Sequence, residues 1–226
     1  MRFHVLRTAL AAACLLTIAA LTLLRAQEAD VAYLAWSAPQ AEAAATSMKG
    51  KDKVGGTRGF ARTDQAKSYK LRVQWLTPEV IRGTARALQL RQNLGEEQTR
   101  KLVKEAEAVG ETVVMVELDP DEGSGVIPGD WTAILRPKGP AGEIRMSRGT
   151  NSPKLRNLPA LNGIERRDFA YDRFWMVFRL ATESGSPLFT EGDLEAELEV
   201  NIRGRTGQIS WQIPDSIRQR KPAAAN

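Results

Sequence analysis

The chain of 226 residues contains one cysteine and one histidine, Cys14 and His4, and both lie within its first 26 positions. Those 26 positions have the pattern of an export signal. Arg2 and Arg7 form a basic start, residues 8–24 run as one apolar segment, and Arg25 and the small Ala26 precede the polar sequence QEAD. Cleavage is expected after Ala26, although Leu24 is a poorer −3 residue than alanine. The alternative is that residues 8–24 stay in place as an inner-membrane anchor, being close to the shortest length that spans a bilayer, about 17 residues. A lipoprotein reading on Cys14 fits poorly, because Leu15 and Leu16 follow it inside the apolar run.

Removal of this segment leaves a mature chain with neither cysteine nor histidine. Disulfides, thiol nucleophiles, a Ser-His-Asp triad and zinc sites built on His or Cys are thereby excluded from it. About 200 residues can bury a core without disulfides, so their lack does not conflict with export. The charge falls as well: the formal +5, less Arg2, Arg7 and Arg25, leaves +2, because no acid precedes residue 27. So small an excess on an exported chain argues against a nucleic-acid partner. No Rossmann or phosphate-loop pattern occurs, and no cofactor is expected.

The patterned part begins at Ser68. Tyr69, Leu71, Val73 and Trp75 alternate with Lys70, Arg72 and Gln74, the period of a half-buried strand. Thr77 as N-cap, Pro78 at the first helical position and Glu79 in the first turn open a helix. A break at Asn93–Gly95 leads into a second helix whose stripe is Leu102, Val103, Ala106 and Val109, closed by Gly110. TVVMVEL follows as a strand apolar on both faces. Before Ser68, VAYLAW suggests a short edge strand, and the rest of 27–67 reads as an arm or linker whose Lys49, Lys51 and Lys53 are suited to an acidic surface.

Two loops carry charge. In 119–130, Asp119, Asp121 and Asp130 occupy the first, third and twelfth positions of a calcium-type loop, but Gly123 and Ser124 depart from its fifth and sixth. A plain acidic turn fits better. Residues 136–168 form a long basic loop, with Arg136, Lys138, Arg145, Arg148, Lys154, Arg156, Arg166 and Arg167 against Glu143, Glu165 and Asp168. Loops of this length are uncommon in compact domains and are often functional.

Three sets of alternating apolar residues end the chain: Phe174–Leu180, Leu194–Ile202 and Ile209–Ile213. A GRTG turn joins the last two, and together they predict an antiparallel meander. In that meander Leu180 pairs with Leu194, and Trp175, flanked by Arg173 and Arg179, becomes an exposed aromatic platform for a ligand or partner. The competing expectation is that Trp175 lies under a helix, a loop or a second sheet.

The expected fold is therefore α+β: a mainly antiparallel, β-sandwich-like domain over 68–214 with a two-helix insertion between strands, followed by a disordered tail at 215–226. The alternative is a mixed sheet containing one βαβ crossover. The expected function is that of an exported, non-enzymatic bacterial envelope protein, periplasmic or secreted. It would bind or assemble with a protein partner or another anionic envelope component, contacting membrane only through an uncleaved signal. The alternatives are a glycan-binding module and a carboxylate-dependent hydrolase, for which Glu165, Asp168, Asp172, Glu191 and Asp193 are the nominal acids.

Overall fold

The computed structural model describes residues 31–55, 68–109, 111–120, 127–139, 145–164 and 172–220. The expected signal segment with the candidate anchor at 8–24, Gly110, and half of the acidic turn, residues 121–126, lie outside them. Among the described residues no helix is long and apolar enough to cross a membrane.

Two antiparallel sheets share one core. The first has the order β1 (Lys49–Val54), β2 (Tyr69–Trp75), β3 (Thr112–Pro120), β7 (Asp172–Phe178), β6 (Thr150–Asn151). The second has the order β5 (Ser147–Arg148), β4 (Thr132–Lys138), β8 (Glu195–Ile202), β9 (Arg205–Gln212). Leu71, Val73, Trp75, Val114, Val116, Met176 and Phe178 from the first sheet meet Leu135, Leu198, Val200, Ile209 and Trp211 from the second in a continuous buried cluster. This is a sandwich-like α+β domain.

The helical insertion explains how β2 and β3 come to pair. Helices α2 (Pro78–Gln92) and α3 (Glu96–Glu107) connect the two strands. A single helix would carry the chain back to the start of β2 and favour a parallel neighbour, whereas two helices return it to the end. The pairing is accordingly antiparallel, with Trp75 opposite Val114 and Leu71 opposite Leu118, and the βαβ alternative does not form. Thr77 caps α2, its side chain accepting from the Val80 amide, and Asn93 ends it in the left-handed region at φ 52°. The Trp75 indole donates to Thr112 Oγ1 at 2.7 Å, tying the end of β2 to the start of β3.

Both helices cover the outer face of the first sheet. Val80, Ile81, Ala85, Val103 and Ala106 pack on Leu76, Val113, Met115 and Trp175 in a second buried cluster. This satisfies the two-sided apolar pattern of β3.

Residues 31–55 of the stretch expected as a linker are folded. Ala32–Ala35 is a 3-10 turn rather than a strand, with Tyr33 only 2% exposed. Helix α1 (Ala38–Ala45) lies against α2 at Gly83, where a Cβ would come within 2.6 Å of the Ala45 nitrogen. The glycine that weakens α2 is thus what admits α1. Residues 56–67 lie outside the described residues.

Residues 215–220 of the expected tail also differ from expectation. Asp215–Arg218 forms the short α4, and Ile217 is 2% exposed. Ser216 Oγ donates to Glu79 Oε2 at 3.0 Å, and Arg220 donates to the Glu107 carbonyl at the end of α3 and to the Glu111 carbonyl beyond it. Cations are favoured at a helix C-terminus.

The predicted meander divides. β8 and β9 form the expected hairpin, with Leu198 opposite Ile209. β7 instead pairs with β3 in the other sheet, Phe174 opposite Val116 and Met176 opposite Val114. Leu180 therefore does not pair with Leu194, which is 64% exposed. The two-faced patterns account for the division. β7 is apolar on both faces and suits the sheet covered by both core and helices. β8 carries Glu195, Glu197 and Glu199 on one face and suits the sheet that meets solvent.

Both sides of the sandwich are tied. At Gly149 the chain passes from β5 in one sheet to β6 in the other, and a Cβ there would lie 2.8 Å from the Phe178 ring. Opposite, β1 packs on β9: a Gly50 Cβ would strike Ile209 at 2.2 Å, and Asp52 Oδ2 accepts from the Gln208 amide at 2.6 Å.

Candidate functional site

The three residues expected to form an exposed platform take three separate positions. Trp175 is 6% exposed beneath the helical layer, and its indole donates to the Leu161 carbonyl at 2.9 Å. Arg173, on the same face of β7, donates through Nη1 to the Asn162 carbonyl at 2.9 Å and through Nε to Glu117 Oε1 at 2.8 Å. Arg179 is exposed and lies beyond the end of β7, in a different cleft with Arg148, Met146 and Glu183. The platform is therefore corrected. Trp175 and Arg173 hold the 3-10 segment 159–162 against the sheet, because the helix stripes need an apolar sheet face to cover and Trp175 supplies it.

Three cations of the basic loop, Arg136, Lys138 and Arg145, are engaged by carboxylates. Arg136 lies on β4 and donates to Glu197 at 2.9 Å and Glu199 at 3.1 Å. Its guanidinium is raised above its ordinary value, first by the Glu197 hydrogen bond. Lys138 faces Glu195 at 3.3 Å. Arg145 grips Asp193 with two nitrogens, at 2.7 and 2.8 Å, and the Thr190 amide and hydroxyl also donate to that carboxylate. The Arg145 hydrogen bond is the main reason the Asp193 carboxyl is lowered from 3.8 to about 2. Asp193 therefore locks a loop. Of the other nominal acids, Asp172 opens β7 opposite Leu118, Glu191 is exposed, and Glu165 and Asp168 lie outside the described residues. In the acidic turn, Asp119 faces Lys70 at 3.3 Å and Asp130 faces Arg203 at 3.9 Å. Among the described residues no group of three or more acids, histidines or cysteines is placed to hold a metal ion.

A different face gathers positive charge. The helices cover only one end of the outer face of the first sheet. Toward the other end lie Lys49, Lys51 and Lys53 of β1 and Lys70 and Arg72 of β2, with Arg173 two strands further on. Lys51 stands directly opposite Arg72, and Lys53 opposite Lys70. Lys51, Lys53, Lys70 and Arg72 are exposed. Glu117 and Asp119 are the acids of β3 on this face. Like charges in register across two strands repel, and on the other side of β2 the acids of β3 stand against the same cations, Glu117 opposite Arg72 and Asp119 opposite Lys70.

Where the ladder meets the helical layer there is a cleft of about 140 Å³. Its floor is Gln74 and Met115, and its walls are Lys49, Lys51, Arg72, Glu117 and Arg173. The loop Asn162–Gly163–Ile164 closes one side, with Gly163 at φ 67°. Gln74 is 2% exposed, and its Nε2 donates to the Ala45 carbonyl at 2.7 Å and the Ser47 carbonyl at 2.9 Å.

Sequence reasoning had the lysines but not their setting. The alternation in KGKDKV is itself a strand signal, period two with every lysine on one face. Gln74 and the 162–164 loop carried no comparable signal, since only the fold brings them together.

A third feature sits at another edge. Trp131 and Phe174, both half-buried, pack edge to face with ring centroids 5.0 Å apart. They line a cleft of about 320 Å³ with Ile127, Pro128, Asn151 and Met176.

No family model, no curated protein and no solved structure matches the chain. What the fold defines is an α+β class, a two-sheet sandwich with a helical layer on one face.

Proposed function

We propose that this is an exported, non-enzymatic envelope protein, periplasmic or secreted, that docks an acidic surface of a protein partner on the β1–β2 face. The observation that carries the reading is the gathering of Lys51, Lys53, Lys70 and Arg72 on one face of two adjacent strands, Lys51 opposite Arg72 and Lys53 opposite Lys70. A negatively charged partner surface is attracted to such a face, which steers encounter. The mature chain carries a net excess of only +2 over its length, so charge gathered on one face reflects placement rather than bulk composition. Export rests on the N-terminal pattern of basic start, apolar run and small residue.

The test is binding of a fluorescent acidic peptide by the purified protein, alongside cross-linking in the native envelope. Affinity is expected to fall as salt rises, and Lys51→Glu with Lys53→Glu is expected to weaken it at least about tenfold. Binding that ignores this charge reversal would overturn the reading.

A second reading, glycan binding, draws on the Trp131–Phe174 cleft, because a half-buried tryptophan beside an amide side chain suits a sugar ring. The rings stand at 68° to one another, however, and do not make a flat platform. Soluble polysaccharides should alter tryptophan fluorescence if that reading holds.

A further inference from the structure

We propose that the cleft lined by Arg148 and Arg179 binds a phosphate monoester, carried by a small soluble molecule or by a lipid headgroup. It shares no lining residue with the β1–β2 cleft and does not depend on the docking proposed there.

The cleft forms where the two sheets meet. Arg148 ends β5, opposite Ile134 of β4 in the second sheet. Two residues on, Thr150 has joined the first sheet and stands opposite Val177 of β7. Carried back from Thr150, that register sets Gly149 opposite Phe178 and Arg148 opposite Arg179. The close approach of Gly149 to the Phe178 ring agrees with it, since a Cβ there would lie 2.8 Å away. Arg148 and Arg179 accordingly line one cleft, of about 640 Å³.

Both arginines are exposed, and among the described residues neither makes an ion pair or a hydrogen bond. The described acids nearby do not neutralise them. Glu199, which flanks Ile134 on its other side, accepts from Arg136 and from Gln208 Nε2 at 3.1 Å each. Glu111 Oε2 accepts from the Leu180 amide at 2.9 Å. Glu183 lines the cleft and is exposed, but pairs with neither guanidinium. Arg136 and Arg173, the arginines of β4 and β7, each hold a carboxylate by contrast. Like charges placed opposite one another repel, so an anion entering between Arg148 and Arg179 is attracted by both.

The number of donors selects the anion. A guanidinium presents a planar fork of N–H groups that fits carboxylate or phosphate oxygens in pairs. A carboxylate, with two oxygens and a single charge, is satisfied by one fork. A phosphate monoester carries about −1.5 to −2 at neutral pH on three terminal oxygens, which suits two forks. The other walls describe the rest of the ligand. Met146, 50% exposed, and Ile134 offer apolar contact. Thr182 and Ser184 add hydroxyls, 2.8 Å from each other. Glu183 opposes a second negative group. The ligand therefore carries its charge at one end, on an uncharged body of hydroxyls and methylenes. The volume suits one small molecule, for which sites run to about 300–1,000 Å³.

The experiment follows methionine methyl groups by NMR in the full purified protein. Met146 lies in the cleft, and Met115, buried in another, is the internal control. The soluble probe is glycerol phosphate, compared with glycerate at matched ionic strength. The membrane probe is phosphatidylcholine vesicles containing phosphatidic acid, a monoester, compared with vesicles containing phosphatidylglycerol, a diester. Glycerol phosphate is expected to shift Met146 saturably and to leave Met115 in place, with glycerate at least about tenfold weaker. Arg148→Gln and Arg179→Gln, both at exposed positions, should each weaken binding at least about tenfold at an unchanged melting temperature. Arg156→Gln, at an exposed position outside the cleft, should leave binding as it is. Co-sedimentation with phosphatidic acid vesicles in preference to phosphatidylglycerol ones identifies a lipid source. Binding of glycerol phosphate without co-sedimentation identifies a soluble ester, and either result supports the site.

Four results would overturn the inference. If glycerate shifts Met146 as strongly as glycerol phosphate, the pair receives a carboxylate. If the shift survives Arg148→Gln with Arg179→Gln, the ester binds elsewhere. If both kinds of anionic vesicle bind equally while glycerol phosphate leaves Met146 unmoved, the attraction is to an anionic surface. If neither the soluble ester nor any vesicle binds, the cleft holds solvent only.

Discussion

The indole of Trp175 and the carbonyl of Leu161 are joined by a 2.9 Å hydrogen bond, with both residues buried between the first sheet and the helical layer. Two residues earlier on β7, Arg173 does the same with the neighbouring Asn162 carbonyl. The pair that sequence alternation offers as a ligand platform is a clamp on the segment that walls the cationic cleft.

Trp175→Ala should therefore destabilise the protein by about 3–5 kcal/mol, the range for a buried tryptophan lost to a cavity. Trp175→Phe should cost less, retaining most of the packing but leaving the Leu161 carbonyl without its donor. Urea unfolding followed by circular dichroism measures both. A Trp175→Ala protein as stable as the parent would contradict the buried position.

Glu117 and Arg173 stand in register on β3 and β7, with side chains 15% and 13% exposed. Removing one member of so enclosed a pair strands the other charge, at a cost of about 3–5 kcal/mol. Glu117→Gln should accordingly destabilise more than the double change Glu117→Gln with Arg173→Met. A double-mutant cycle in denaturant provides the comparison, and additive losses would show that the two side chains do not depend on one another.

The Asp193 carboxylate gives a pH dependence of definite sign. Its folded value, about 2, lies below the ordinary 3.8 because Arg145 and Thr190 donate to the ionised form. The folded state thus holds its proton more weakly than the unfolded chain does. The stabilisation is full above the ordinary value and drains away as pH falls from about 4 toward 2. Asp193→Asn should flatten the fall in melting temperature across that interval. A wild-type and variant pair whose curves stay parallel there would refute the assignment.

The packed tail can be cut. Ending the chain after Pro214 removes Ile217, the Ser216–Glu79 hydrogen bond and the Arg220 contacts beyond α3. Ile217→Ala alone should cost about 2–4 kcal/mol, and the truncation at least as much. Thermal melts decide it, and an unchanged midpoint on truncation would place the tail outside the folded unit.

Local pattern determined a good deal of this protein. Period-two alternation placed β2, β8 and β9, the Thr77–Pro78–Glu79 start placed α2, and the two-faced apolar strand 112–120 announced cover on both sides. These features are written in neighbouring residues, because alternation and capping act over one or two turns of chain. Partner choice is not so written. β7 could satisfy its inner face in either sheet, and only the demand of the helix stripes for an apolar surface assigned it beside β3. Residues 32–48 carry no strong period, yet they fold, because α1 finds Gly83, and the alternation of 49–54 becomes a strand because β1 finds β2.

The cleft is a case of the second kind throughout. Lys51, Gln74, Arg173 and Gly163 come from four separate stretches of sequence, and none signals the others. The sequence by itself determined which chemistries the chain beyond residue 26 lacks, where β2, β3, β8, β9, α2 and α3 lie, and that lysines recur every second residue along β1. Tertiary structure decided that Trp175 is core and that the lysines stand against like charges. It also decided that Gln74 lies buried beside them, because registers, layers and burial arise only when distant segments compete for the same surfaces.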